Sequence, residues 1–142
     1  MTFMNAVTIA GVGETDYSKN SGRSELQLSL EAINNALQDA GIDRKEVDGL
    51  LRWSVDTSPE ATVAANMGIE DLAWFGEISQ AGNVGAALVA NGAAAIHAGL
   101  ANVVVIYRGV NGRSGRRYGR GDVTGRSGRG SAAFSEPFGL LT

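Results

Sequence analysis

The sequence contains no cysteine and a single histidine, His97. Without Cys the chain has no disulfide, no thiolate zinc site and no cysteine nucleophile of its own. That absence also suits a reducing compartment. One His leaves little from which to build a metal site or a Ser-His-Asp triad. No export leader is visible: Met1-Thr2-Phe3-Met4-Asn5 has neither a basic stretch nor a long apolar one. Long apolar runs are missing as well. The most apolar segment, residues 84–107, is interrupted by Asn91, His97, Asn102 and three glycines, so no membrane span is expected. These absences lead us to expect a soluble, cytoplasmic protein.

What is present points to a folded body. The chain has 142 residues, enough for one domain or part of a larger one. Hydrophobic residues make up 44% and charged residues 19%, which permits a core and argues against a wholly disordered chain. Glycine is abundant, with 20 residues, roughly double the usual ~7%. Charge splits the chain. Residues 1–107 carry 5 basic and 13 acidic side chains, whereas residues 108–142 carry 7 arginines and 2 acids. The arginines (Arg108, Arg113, Arg116, Arg117, Arg120, Arg126 and Arg129) fall in one stretch rich in Gly and Ser. We therefore expect an acidic α/β domain over 1–107, followed by an Arg/Gly/Ser-rich loop over 108–142.

Within the body, strand and helix signals alternate. Val7-Thr8-Ile9-Ala10 is a short β-branched run that predicts a strand running into a loop at Gly11-Val12-Gly13. Ser24-Glu25-Leu26-Gln27 has the form of a capping box. Leu26, Leu30, Ile33 and Leu37 then share one helical face, and Gly41 is a natural stop. A turn is expected at 43–48 and a strand at 49–55. Ser58-Pro59-Glu60 predicts a helix with Ser58 as its N-cap, ending at Gly68. Leu72 to Ser79 reads as a third strand and 80–83 as a turn. A helix follows from Val84 to Ala98, ended by Gly99. Asn102 to Tyr107 is apolar on both faces and predicts a strand central in a parallel sheet. The helix from Val84 is built from small residues and has no charged face. Its two interior glycines cost roughly 1 kcal/mol each relative to Ala, so close packing between layers is expected to offset them. That burial implies helices on both faces of the sheet.

Taken together, "VTIAGVGETDYS", "ALQDAGIDRKEVDGL" and "EISQAGNVGAALVANGAAAIHAGLANVVVIY" resemble the N-terminal part of the thiolase superfamily. The resemblance is nearest to its lipid-transfer-protein or sterol-carrier-protein-X type, and it runs to Tyr107. It implies a mixed β-sheet with helices on both faces, one half of a five-layered αβαβα fold. It also implies a partial chain, because family members are more than twice this length. Aligned on that family, Gly82 stands where thiolases carry the nucleophilic cysteine. Glycine has no side chain with which to form an acyl-enzyme, so the covalent route is closed. The backbone N–H groups of Gly82 and Asn83, at a helix start, could still hold an oxyanion or enolate. A plain tight turn is the simpler reading of Gly82.

Cysteine-less relatives of this type resemble the aldolases of steroid side-chain breakdown, which cleave a β-hydroxyacyl-CoA with a small OB-fold partner protein. The resemblance therefore implies non-covalent retro-aldol cleavage, with a coenzyme A thioester as substrate and no bound cofactor or metal. A thiolase-type acyltransferase, a lipid-transfer protein or a noncatalytic assembly subunit are the alternatives. Arg113, Arg116 and Arg117 would hold the CoA phosphates through bidentate hydrogen bonds; a flexible basic loop, or a loop that contacts a partner subunit, is an equal reading. RGG-like nucleic-acid binding, with Tyr118 stacking on bases, is a more distant one, and its mark would be affinity that falls steeply with salt. Family dimers pair through the strand that corresponds to Leu72–Ser79, so a homodimer is implied there. Gly11-Val12-Gly13 has only part of a dinucleotide fingerprint, with Asp16 at its third glycine, where it would repel a pyrophosphate. Arg120-Gly121-Asp122 reads as chance. His97 reads as a helix C-terminal residue, and Trp53, Trp74 and Phe75 as core or interface residues.

Overall fold

The computed structural model describes residues 6–79 and 84–111. Helix α1 (Glu25–Ala40) begins where the capping box places it. Ser24 Oγ accepts the Gln27 N–H at 3.1 Å, and Gln27 Oε1 accepts the Ser24 N–H at 2.8 Å. At the other end Gly41 adopts φ 68°, and the Ile42 N–H reaches back to the Leu37 carbonyl at 3.0 Å. Only a residue at ease in the left-handed region closes a helix this way. The expected turn at 43–48 contains a short 3₁₀ turn, Arg44–Glu46, capped by Asp43. Strand β1 (Gly49–Trp53), helix α2 (Glu60–Met67), strand β2 (Trp74–Ile78), helix α3 (Val84–His97) and strand β3 (Val104–Tyr107) follow.

The strands are ordered β2-β1-β3, and both pairings are parallel. Leu50 lies opposite Phe75 on one side and Val105 on the other. Helices α1 and α2 pack on one face of the sheet and α3 on the other. The first face buries Ile33, Leu37, Leu50, Val63, Met67, Val105 and Tyr107; the second buries Leu51, Trp53, Val84 and Leu88. Helices on both faces are thus as expected.

Several expectations are corrected. The described sheet is wholly parallel rather than mixed, because α2 and α3 each carry the chain back to the starting edge. In the described sheet β3 lies at an edge, and β1 is the central strand. Val7–Ala10 is not a strand. The chain there runs into a segment laid on α1, where the Val12 N–H donates to Asp39 Oδ2 at 2.9 Å and Asn35 Nδ2 donates to the Glu14 carbonyl at 2.8 Å. Glycine permits that approach: a Cβ on Gly13 would overlap the Ala32 carbonyl and the Ala36 amide. Gly11-Val12-Gly13 therefore packs on a helix side and does not open a helix, which removes the dinucleotide geometry.

Ser58 is not the α2 cap. Pro59 occupies that position without a side-chain cap, and Ser58 is buried. Among the described residues, helix α3 is covered on its sheet side only, not enclosed between layers. Val84, Leu88, Gly92 and Ala95 face the sheet, while Gly85, Ala86, Val89 and Ala90 are exposed. Gly92 is the glycine that the packing uses, since a Cβ there would come within 3.3 Å of Ile106 Cδ1. The turn at 80–83 lies outside the described residues.

Replacing Gly13 by Ala should lower unfolding stability by about 1–3 kcal/mol, the usual cost of overpacking against a rigid neighbour. Urea denaturation, read by the shift in midpoint at unchanged slope, checks it.

Candidate functional site

In open parallel sheets, ligands gather at the carboxyl ends of the strands. Here that edge carries a charged network. Arg52, near the end of β1, is its hub and is mostly buried. Its Nε donates to Glu60 Oε2 at 2.9 Å, and its Nη2 donates to Glu77 Oε2 at 2.6 Å. Its Nη1 donates to the Asp56 carbonyl at 2.9 Å. One guanidinium thus ties β1 to β2, to the first turn of α2 and to the loop between them.

Tyr107, at the end of β3, donates its hydroxyl to the Ser58 carbonyl at 2.8 Å. Burial, reinforced by the nearby Glu60 charge, pushes that hydroxyl well above the ordinary tyrosine range, so it stays a neutral donor.

Asp56 follows β1, and its side chain is only 2% exposed. Its Oδ1 lies 3.6 Å from Arg108 Nε, while its Oδ2 is buried with no hydrogen-bond partner. Burial raises its carboxyl from 3.8 to about 6, against the pull of Arg108 and Arg52. Its folded titration point therefore lies above the unfolded one. The group favours folding fully below about pH 4, and that contribution is lost as pH rises through about 6. The Arg108 guanidinium also lies over the Trp53 ring, 4.2 Å from its centroid.

Beyond Arg108 the chain stays against α1. Glu25 accepts the Thr57 hydroxyl and, at 3.3 Å, the Asn111 N–H. Asn111 Nδ2 donates to the Arg23 carbonyl at 2.9 Å. Gly109 sits so close to α1 that a Cβ would meet Ser29 Oγ and, at 2.5 Å, the Glu25 carbonyl.

The amino-terminal edge differs in kind. Asp48 accepts the backbone N–H groups of Asn102 and Val103 at 2.9 and 2.8 Å. Burial works against its charge, but these hydrogen bonds prevail and hold its carboxyl below the ordinary range. That edge ties the start of β3 to β1 and is structural.

Of the residues singled out from the sequence, Gly82, Asn83, Arg113, Arg116 and Arg117 lie outside the described residues. Trp53 is core, Trp74 is partly buried, and Phe75 is 64% exposed and so is not a core residue. His97 stands in the last turn of α3, as expected. Sequence reading missed Arg52, Asp56 and Glu60. The available signal was charge set among apolar residues: Arg52 between Leu51 and Trp53, and Asp56 just past the same strand.

No protein-family model matches the chain. It is similar to a steroid side-chain-cleaving aldolase of Thermomonospora curvata, at 47% identity over 141 residues, which is 96% of this chain and 36% of that protein. It is also similar to a 17-hydroxy-3-oxo-4-pregnene-20-carboxyl-CoA lyase of Mycobacterium tuberculosis, at 44% identity over 94% of this chain and 36% of that protein. A solved structure described as the Ltp2-ChsH2(DUF35) aldolase matches with TM-score 0.74 and 45% identity, across 94% of this chain and 34% of that one. The chain thus spans about a third of the length of the curated relatives it matches.

Arg52→Met should cost about 3 kcal/mol or more, because it strands the buried Glu60 carboxylate. Adding Glu60→Leu to that variant should recover part of the loss. Chemical denaturation of both variants measures the difference.

Proposed function

We propose that this chain is the N-terminal, thiolase-like part of a lyase that cleaves a carbon–carbon bond in a β-hydroxyacyl-CoA by a retro-aldol step. The observation that carries the reading is 47% and 44% identity, over nearly the whole chain, to two proteins named as an aldolase and a CoA-ester lyase of steroid side chains. The parallel sheet with helices on both faces and the absence of Cys are consistent with it.

In the proposed step, a base supplied by the rest of the protein removes the β-hydroxyl proton. The Cα–Cβ bond then breaks, and its electron pair passes into the thioester as a CoA enolate. Protonation of the enolate carbon releases a shorter acyl-CoA. From a 17-hydroxy-20-carboxyl-CoA steroid the products would be a 17-ketosteroid and a three-carbon acyl-CoA. The backbone N–H groups of Gly82 and Asn83 are our candidates for holding the enolate oxygen, and Arg113, Arg116 and Arg117 for holding the CoA phosphates. A cytoplasmic setting, with a soluble CoA ester, belongs to the same reading.

A DUF35-type partner is part of the proposal, supported by the similarity to the Ltp2-ChsH2(DUF35) aldolase; that the partner has an OB-fold is what the family resemblance implies. A homodimer through Leu72–Ser79 is also part of the proposal. β2 is an edge strand of the described sheet and exposes Phe75, and an uncovered apolar edge invites pairing.

The test is release of a three-carbon acyl-CoA from the 17-hydroxy steroid CoA ester by the full protein with a DUF35-type partner. Gly82→Pro removes one N–H donor and should lower kcat about 10²–10³-fold. Asn83→Ala keeps the backbone N–H and should leave kcat within about threefold. No release in any pairing would leave the assembly role in its place. For the dimer, Phe75→Lys should shift sedimentation toward the monomer.

A further inference from the structure

The geometry points to Asp56 as a positioning residue: its ionised carboxylate keeps the Arg108 guanidinium on the face of Trp53, and through Arg108 it pins residues 108–111 to the first turn of α1. The inference goes beyond the acyl-CoA reading, and its test does not depend on turnover.

Arg108 is a long side chain leaving the end of β3, and about half of it is exposed. Two fixed groups hold it. The Trp53 ring is buried at the end of β1, and the Asp56 side chain is 2% exposed. The ring provides a face with no lateral preference. The carboxylate beside Nε, at 3.6 Å, supplies direction. The following residues continue the contact, with Gly109 against the Glu25 carbonyl and Asn111 bonded to Glu25 and to the Arg23 carbonyl.

The groups around Asp56 decide which contact yields when it gains a proton. Arg108 faces it from the exit of β3, Arg52 from β1 and Glu25 from α1. Tyr107 of β3 is also near, and Glu60 of α2 lies behind Arg52. Arg52 keeps both of its carboxylate partners, Glu60 and Glu77, whatever the state of Asp56. Arg108 is different: among the described residues Asp56 is its ion-pair partner. Oδ2 of Asp56 accepts no hydrogen bond, so little besides these two guanidinium charges keeps the buried carboxylate ionised. Protonation should therefore release Arg108 and leave the Arg52 network standing.

The experiment uses the full protein labelled with 5-fluorotryptophan, with the Trp53 ¹⁹F resonance assigned by Trp53→Phe. In the wild type that resonance should move in one step with a midpoint near pH 6. In Asp56→Asn it should stay at its acid-limit position throughout the titration. In Arg108→Gln the step should shrink to half or less. A wild-type Trp53 resonance that does not move, or a step that persists in Asp56→Asn, overturns the proposal. Should Asp56→Asn fail to fold, Arg108→Gln decides: an undiminished step there also overturns it.

Discussion

Burial of β1 on both faces is the constraint on which the other elements depend. Leu50 and Leu51 are adjacent in the chain and almost wholly inaccessible, one in each core. Successive strand residues point to opposite faces, so covering both requires helices above and below the sheet. The parallel crossovers supply them, with α2 between β1 and β2 and α3 between β2 and β3. A shift of one residue in strand register would exchange the two faces, so the pairing is firmly specified.

The same strand delivers the charge. Directly after Leu51 comes Arg52, whose stem leaves the core while its guanidinium meets four oxygen partners at the sheet edge, the carboxylates of Glu60 and Glu77 and the carbonyls of Trp53 and Asp56. A buried cation is tolerable only with such compensation. Asp56, a few residues on, has less. Its carboxyl sits near 6 because burial outweighs the two arginines beside it. The carboxyl edge thus holds one well-satisfied charge and one poorly satisfied charge side by side. A poorly satisfied buried charge with a titration point near neutrality is a common mark of a working region in an α/β sheet.

The outer side of α3 and the free side of β2 bear on the whole protein. Both present apolar or small residues to solvent in this chain: Gly85, Ala86, Val89 and Ala90 on the helix, and Phe75 on the strand. The relatives extend well past the matched region, since the chain covers 36% of each. A small-residue helix surface permits close approach of a neighbouring layer, as Gly92 does on the sheet side of the same helix, where it admits the Ile106 and Val104 side chains. Among the described residues the expected enclosure of α3 is met on the sheet side, by Val84, Leu88, Gly92 and Ala95, and not on the outer side.

What the sequence determined by itself was local. The capping box at Ser24, the left-handed glycines at 41, 68 and 99, and the helical face of α1 could be placed from spacing alone, because each depends on residues within a few positions of one another. The tertiary structure decided the rest. It put β1 rather than β3 at the centre of the described sheet, left Val7–Ala10 out of that sheet with Gly11–Gly13 laid on the side of α1, and made Ser58 a buried acceptor rather than a cap. It also assembled Arg52, Glu77, Asp56 and Arg108 at one edge. These outcomes turn on partners tens of residues apart, such as Arg52 with Glu77 and Tyr107 with Ser58. Local propensity carries no record of such distant contacts, because their free energy exists only once the chain has folded.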